Sequence, residues 1–76
     1  MKKIRYAIIG AGTMGLEHIQ NISLIKNAEV VAISDVHNNS LIKIKKKFKK
    51  KFLYFKNHKD LIKKNIVDAY IISTPN

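Results

Sequence analysis

The chain has no cysteine, a single proline, three glycines and only five acidic residues in 76 positions. Without cysteine there is no disulfide framework and no thiolate chemistry, a pattern in keeping with a cytoplasmic protein. No window approaches the roughly 18 to 20 unbroken apolar residues of a membrane span, so no membrane partner is expected. The opening MKKIRYAIIGAG starts basic and turns apolar in the manner of a signal peptide, but the apolar run ends in a glycine turn after about five residues and no export signal is read.

The shortage of acid leaves fifteen Lys and Arg against five Asp and Glu, a formal charge of +10. All but one of these cations are lysines and the chain is rich in Ile and Asn, as an AT-biased coding sequence produces without selection for a basic surface. The run KIKKKFKKKF at 43 to 52 carries the alternative reading, a basic nucleic-acid-binding module or an acidic-membrane surface. Such a patch supplies only non-specific, salt-sensitive attraction, so nucleic acid is the secondary reading. A chain this short is at most one small domain that buries about 60% of its unfolded surface, and its stability is expected to be marginal. Hydrophobic residues at 46%, with three Phe and three Tyr, suffice for a globular core.

What is present is an alternation of short apolar runs and helical stripes. Residues 3 to 9, KIRYAII, suit a buried parallel strand ending at Gly10. Met14, Ile19, Ile22 and Ile25 form a helical stripe from Thr13 to about Ile25. Asn27 and Ala28 interrupt it before a second strand at 29 to 35, EVVAISD, laid parallel to the first by a right-handed crossover. Asn38, Asn39 or Ser40 can cap a second helix reaching Lys50, with Leu41, Ile44 and Phe48 on its apolar face. FLYF at 52 to 55 reads as a third strand. A helix near Lys59 to Asn65 follows, with Leu61 and Ile62 inward, and VDAYIIS at 67 to 73 is a fourth strand stopped by Pro75. The expected fold is α/β: a Rossmann-like, doubly wound parallel sheet in the order βαβαβαβ, ending after the fourth strand.

All three glycines stand in G-x-G-x-x-G spacing, Gly10, Gly12 and Gly15, between the first strand and the first helix. Their roles differ. The first allows the tight turn, the second leaves room for a pyrophosphate, and the third lets helix and strand pack closely. The helix N-terminal amides and dipole then face the phosphates. Asp35 lies twenty residues after Gly15 at the end of the second strand, where a carboxylate accepts hydrogen bonds from adenosine ribose hydroxyls. A carboxylate there repels the 2′-phosphate of NADP and no Arg follows it, so NAD is favoured; NADP stays open, with His37 and Lys43 the nearest cations in sequence. Glycines used only for packing, with Asp35 a helix-start residue, remain the plain structural alternative.

The residues resemble the Gfo/Idh/MocA group of oxidoreductases, named for glucose-fructose oxidoreductase, inositol dehydrogenase and rhizopine catabolism, whose N-terminal domains bind NAD or NADP. The stretches that carry the resemblance are IIGAGTMGLEHIQNI, AEVVAISD, KKFKKKFLYF and HKDLIKKNIVDAYIISTPN, in the family's order over nearly the whole chain. The most specific is VDAYIISTPN, similar to the family's fourth strand and its Thr-Pro-Asn turn, an ending that a bare dinucleotide fold does not require.

The resemblance implies that Gly10, Gly12, Thr13 and Met14, with Gly15 behind them, form the pyrophosphate turn. It puts Asp35 at the adenosine ribose and Ser73, Thr74, Pro75 and Asn76 along the carboxyl ends of the strands. His18 matches a family histidine and is expected to serve a structural or hydrogen-bonding role under the pyrophosphate; His37 and His58 are expected to be solvated. The implied activity is hydride transfer between a nicotinamide and a hydroxyl-bearing carbon of a sugar, cyclitol or similar polyol. The family's Glu-Lys-Pro-like motif and acid/base histidine are not found, and the second helix departs from the family in its lysine density. Residues 1–76 are therefore expected to be a partial dinucleotide-binding domain with the C-terminal catalytic domain absent, a fragment that turns over nothing by itself. A remnant of a truncated gene that binds nothing is a further alternative. The fourth strand is expected to be an apolar, unpaired edge through which the chain self-associates.

Overall fold

The computed structural model describes residues 2–73. Seven elements alternate: β1 (Ile4–Ile9), α1 (Thr13–Ser23), β2 (Ala28–Ser34), α2 (Asn38–Lys47), β3 (Leu53–Phe55), α3 (His58–Lys64) and β4 (Ala69–Ile72). The four strands form one sheet in the order β3-β2-β1-β4, every pairing parallel. β2 and β3 step away from β1 on one side and β4 returns to the other, so the winding reverses between β1 and β4. Ligands of open α/β sheets bind outside the carboxyl ends of the strands at such a reversal.

Central strands of a parallel sheet are covered on both faces, which calls for unbroken apolar runs rather than alternation. β1 meets this with Ala7, Ile8 and Ile9, all buried, and β2 with Ala32 and Ile33. Successive side chains still point to opposite faces. Ile8, Val30 and Ile33 share one core with Ile19 and Ile22 of α1 and Leu41 and Ile44 of α2. Ala7, Ile9 and Ala32 share the other with Leu61 of α3 and with Val67. The pairing of β1 with β2 slips once, between Tyr6↔Val30 and Ala7↔Ala32, leaving Val31 as an extra residue in β2.

The element order agrees with the sequence reading, and the boundaries differ for local reasons. α1 stops at Ser23, short of Ile25, because Leu24 N–H and Ile25 N–H bond back to Asn21 and Ile22 carbonyls in tight turns. That lets Ala28 open β2 opposite Ile4. Met14, expected in the buried stripe, is 56% exposed, and Ile25 lies outside the core as well. α2 has no side-chain cap from Asn38, Asn39 or Ser40; His37 occupies the N-cap position.

α2 ends at Lys47 rather than Lys50 because the aromatic residues that follow draw the chain inward. Phe48 takes an extended conformation, meets Phe52 edge-on at 6.0 Å, and Phe52 meets Tyr54 at 6.3 Å. Continuing the helix would also stack lysines at like-charge i,i+4 spacing. α3 begins at His58, capped by Asn57 Oδ1 accepting from Lys59 N–H at 2.8 Å, and ends at Asn65 with a left-handed φ of 51°. Leu61 is buried as expected, but Ile62 is 48% exposed. β4 covers Ala69–Ile72; before it, Asp68 is tied to Arg5 by backbone and side-chain bonds.

Candidate functional site at the carboxyl end of the sheet

The site grows from the turn between β1 and α1. Gly10 has a φ of +98°, a conformation that L side chains rarely adopt, and its N–H donates to the Ser34 carbonyl at 2.8 Å. The first strand can therefore turn sharply over the end of the second. Gly15 lies buried beneath this turn: a Cβ there would collide with the Gly10 carbonyl oxygen and stand 3.1 Å from its carbon. From the other side, Ser73 N–H donates to the Ile9 carbonyl at 2.8 Å and Ser73 Oγ donates to the Gly10 carbonyl at 2.7 Å. The floor of the turn is closed by α1 and by the chain just after β4.

Gly12 is different. It holds the N-cap position of α1 with an ordinary φ of −74°, and a Cβ built on it meets nothing within 4 Å. Among the described residues neither strain nor packing calls for a glycine at this position, and the space over it is open. The first N–H of the helix to close on the turn is that of Leu16, bonded to the Gly12 carbonyl at 2.9 Å. The preceding amides of the first turn are left over by helix geometry and lie at the positive end of the helix dipole, with no acidic side chain in that turn.

Asp35 follows β2 directly and its side chain reaches the glycine turn just before this helix end. Its Oδ2 accepts from Ala11 N–H at 2.6 Å and its Oδ1 from His37 N–H at 2.8 Å. The carboxylate thus braces the glycine turn against the entrance to α2. A carboxylate has about four lone-pair sites, so two bonds leave acceptor capacity on each oxygen.

Together these groups border a cleft of about 700 Å³, within the range of small-molecule and cofactor sites. Of the residues expected at the site, Gly10, Gly12, Thr13, Met14, Asp35 and Ser73 line it, and Gly15 supports it from below. Thr74, Pro75 and Asn76 lie outside the described residues. His18 lines the cleft too, as do His37 and His58, which the sequence reading left to solvent. Ser40, expected only as a candidate helix cap, and Lys56, which the sequence did not single out, line it as well, whereas Lys43, a nearby cation in sequence, is exposed on α2 and is not part of the lining. The signal for Lys56 was its place just after the third strand, the same relation that Asp35 has to the second. Among the described residues no group of three or more His, Asp or Glu side chains is placed to hold a metal ion, and no helix is long and apolar enough to cross a membrane.

The residues present fit a dinucleotide: a helix N-terminus with amides left over, open space above Gly12 where a side chain would intrude, and a fixed carboxylate beyond it. Comparison with known proteins gives the same answer. A myo-inositol 2-dehydrogenase of Thermotoga maritima is 35% identical over 69 residues, covering 91% of this chain and 20% of that protein. A glycosyl hydrolase family 109 protein of Shewanella baltica is 30% identical over 83 aligned positions, covering 99% of this chain and 18% of that one. The crystal structure of scyllo-inositol dehydrogenase from Lactobacillus casei with bound NAD(H) and scyllo-inositol superposes with a TM-score of 0.84 at 29% identity, over 97% of this chain and 22% of that one. The chain spans about a fifth of the length of these proteins. Residues 4–76 match the model of the oxidoreductase family with the NAD-binding Rossmann fold, and the chain belongs to that Gfo/Idh/MocA family.

Proposed function

We propose that this chain holds NAD in the cleft above Gly12, with the pyrophosphate on the first-turn amides around Thr13 and Met14. In this reading the adenosine ribose hydroxyls donate to Asp35, and Ser73, followed by Thr74, Pro75 and Asn76, borders the path of the cofactor across the reversal in strand order. The cofactor supplies the hydride chemistry; this chain's residues bind and orient it. The relatives carry different activities in their names while sharing this fifth of their length, so cofactor holding is the part the domain itself contributes. For the whole protein we propose hydride transfer on a polyol, the acid and base groups lying in another domain. The 76 residues alone are expected to turn over nothing, and in concentrated solution to self-associate through β4, which bears the 72% exposed Ile72.

The observation that carries the reading is the open space at Gly12 over the helix end, since no contact among the described residues requires a glycine there. The test is an amide proton–nitrogen NMR titration with NAD, in which peaks of Gly12, Thr13 and Asp35 shift. Gly12→Asn, a cap-competent residue that fills the space, should abolish those shifts while the spectrum stays dispersed. A dispersed spectrum indifferent to NAD would refute the reading.

A further inference from the structure

The peptide unit between Gly10 and Ala11 is held from both sides of β1. Its carbonyl accepts from Ser73 Oγ at 2.7 Å, just after β4, and its N–H donates to Asp35 Oδ2 at 2.6 Å, just after β2. β2 and β4 are the two neighbours of β1 in the sheet, so each side contributes one side chain to the same peptide. Building on the dinucleotide reading above, we infer that Ser73 is a positioning residue for the cofactor: its hydroxyl, acting opposite Asp35, fixes the plane of the Gly10–Ala11 peptide and keeps the Gly10 carbonyl turned away from the diphosphate.

A glycine with a φ of +98° has no Cβ to restrict the peptide that follows it, so something else must set that peptide's orientation. The choice matters to an anion. In the observed orientation the Gly10 carbonyl oxygen points to the floor, over Gly15, whereas a carbonyl turned into the cleft would oppose the amides and dipole of α1 that attract phosphates. A donor on the floor side holds the first arrangement. Ser73 has one hydroxyl proton, and of the two carbonyls near it Gly10 is at 2.7 Å and Ile9 at 3.5 Å, so the bond goes to the turn. The Ser73 backbone is itself fixed, its N–H donating to the Ile9 carbonyl at 2.8 Å. Asp35 at the other end divides its carboxylate among Ala11 N–H, His37 N–H at 2.8 Å and, in the proposed complex, the ribose hydroxyls. The Ser73 hydroxyl holds the peptide while that carboxylate is shared.

The experiment is a calorimetric titration with NAD of the unaltered chain, Ser73→Ala and Ser73→Thr, paired with amide hydrogen exchange of the same three chains without cofactor. Ser73→Ala should weaken NAD by about tenfold, the size of one hydrogen bond, and Ser73→Thr, which keeps the hydroxyl, should stay within about threefold of the unaltered chain. Without NAD, Ser73→Ala should speed exchange at Ala11 by about tenfold and leave the amides of β2 unchanged. The hydroxyl of Ser73 bonds to the Gly10 carbonyl and not to Ala11 N–H, so this change reports a peptide released from its far end. Should Ser73→Ala lose its dispersed spectrum, Ser73→Cys, of similar shape with a weaker donor, is read by the same criteria. Weaker NAD binding with exchange at Ala11 unchanged would mean a direct contact with the cofactor only and overturns the inference. Faster exchange with NAD affinity unchanged, or Ser73→Thr as impaired as Ser73→Ala, overturns it too; in all three cases the dinucleotide reading stands. Failure of the folded, unaltered chain to bind NAD overturns both.

Discussion

The floor and the rim of the glycine turn are made from the same residue type and obey different constraints. On the floor, Gly10 has a positive φ, Gly15 leaves no space for a Cβ beside the Gly10 carbonyl, and Ser73 Oγ caps that carbonyl at 2.7 Å. On the rim, Gly12 has an unexceptional φ and open space around it. The fold requires glycine at Gly10 and Gly15; among the described residues nothing requires it at Gly12, where the proposed cofactor would. Structural and functional constraints within a six-residue motif can therefore be separated by asking what an added methyl group would touch.

The sharpest way to break that contrast is Gly15→Ala, which pushes a methyl group into the Gly10 carbonyl. Overpacking of this kind costs about 1–3 kcal/mol, a large share of the stability of a domain this small. Urea unfolding followed by circular dichroism should show it, and a midpoint equal to that of the unaltered chain would place slack where the structure has none. Gly12→Asn is the converse. Unfolding should stay within about 0.5 kcal/mol while NAD binding is lost, and a loss of stability matching that of Gly15→Ala would erase the distinction between floor and rim.

Asp35→Asn probes the brace that joins the rim to α2. An Asn side chain has one acceptor oxygen, so either Ala11 N–H or His37 N–H loses its partner, at about 1–2 kcal/mol. Faster hydrogen exchange at Ala11 or His37, with the amides of β1 unaffected, is the expected signature; uniform exchange rates across the chain would show that the turn holds without it.

The smallest effect belongs to the opposite end of the sheet, where Arg5 and Asp68 are both about half exposed. Arg5 N–H donates to Asp68 Oδ2 at 2.9 Å and the Arg5 guanidinium lies beside the carboxylate, which together hold the Asp68 carboxyl below its ordinary value. Because the folded state depresses this pKa, the contribution is present above the unfolded value and is lost as pH falls through the folded one. Acid titration of stability below about pH 4 should be shallower in Asp68→Asn than in the unaltered chain. Identical slopes would show that Asp68 has no part in acid unfolding.

The alternation of elements, the parallel sheet and the position of the turn were legible because each rests on local pattern: apolar runs at Ala7–Ile8–Ile9 and Ala32–Ile33, helical spacing at Ile19 and Ile22, and glycines at a strand-to-helix junction. Helix ends were less legible. Lys50 continues the pattern of α2, but the burial of Phe52 and its edge contact with Phe48 unwind the chain at residue 48, a long-range gain that outweighs local propensity. Ile62 and Met14 fit an apolar stripe, and which side of each helix the sheet covers is known only once the strands are ordered.

That a glycine turn joins the first strand to the first helix, with Gly10, Gly12 and Gly15 in it and Asp35 at the end of the second strand, follows from residue order alone, because the motif is read at fixed spacing along a short stretch of backbone. What surrounds the turn was settled by folding in three dimensions. Parallel pairing brings Lys56 beside Asp35 across 21 residues of sequence, β4 carries Ser73 back to the Gly10 carbonyl, and α2 keeps Lys43 out of the cleft. Neighbours of this kind are set by strand order and register, which depend on how the two cores are buried and leave no mark at any fixed spacing in the chain.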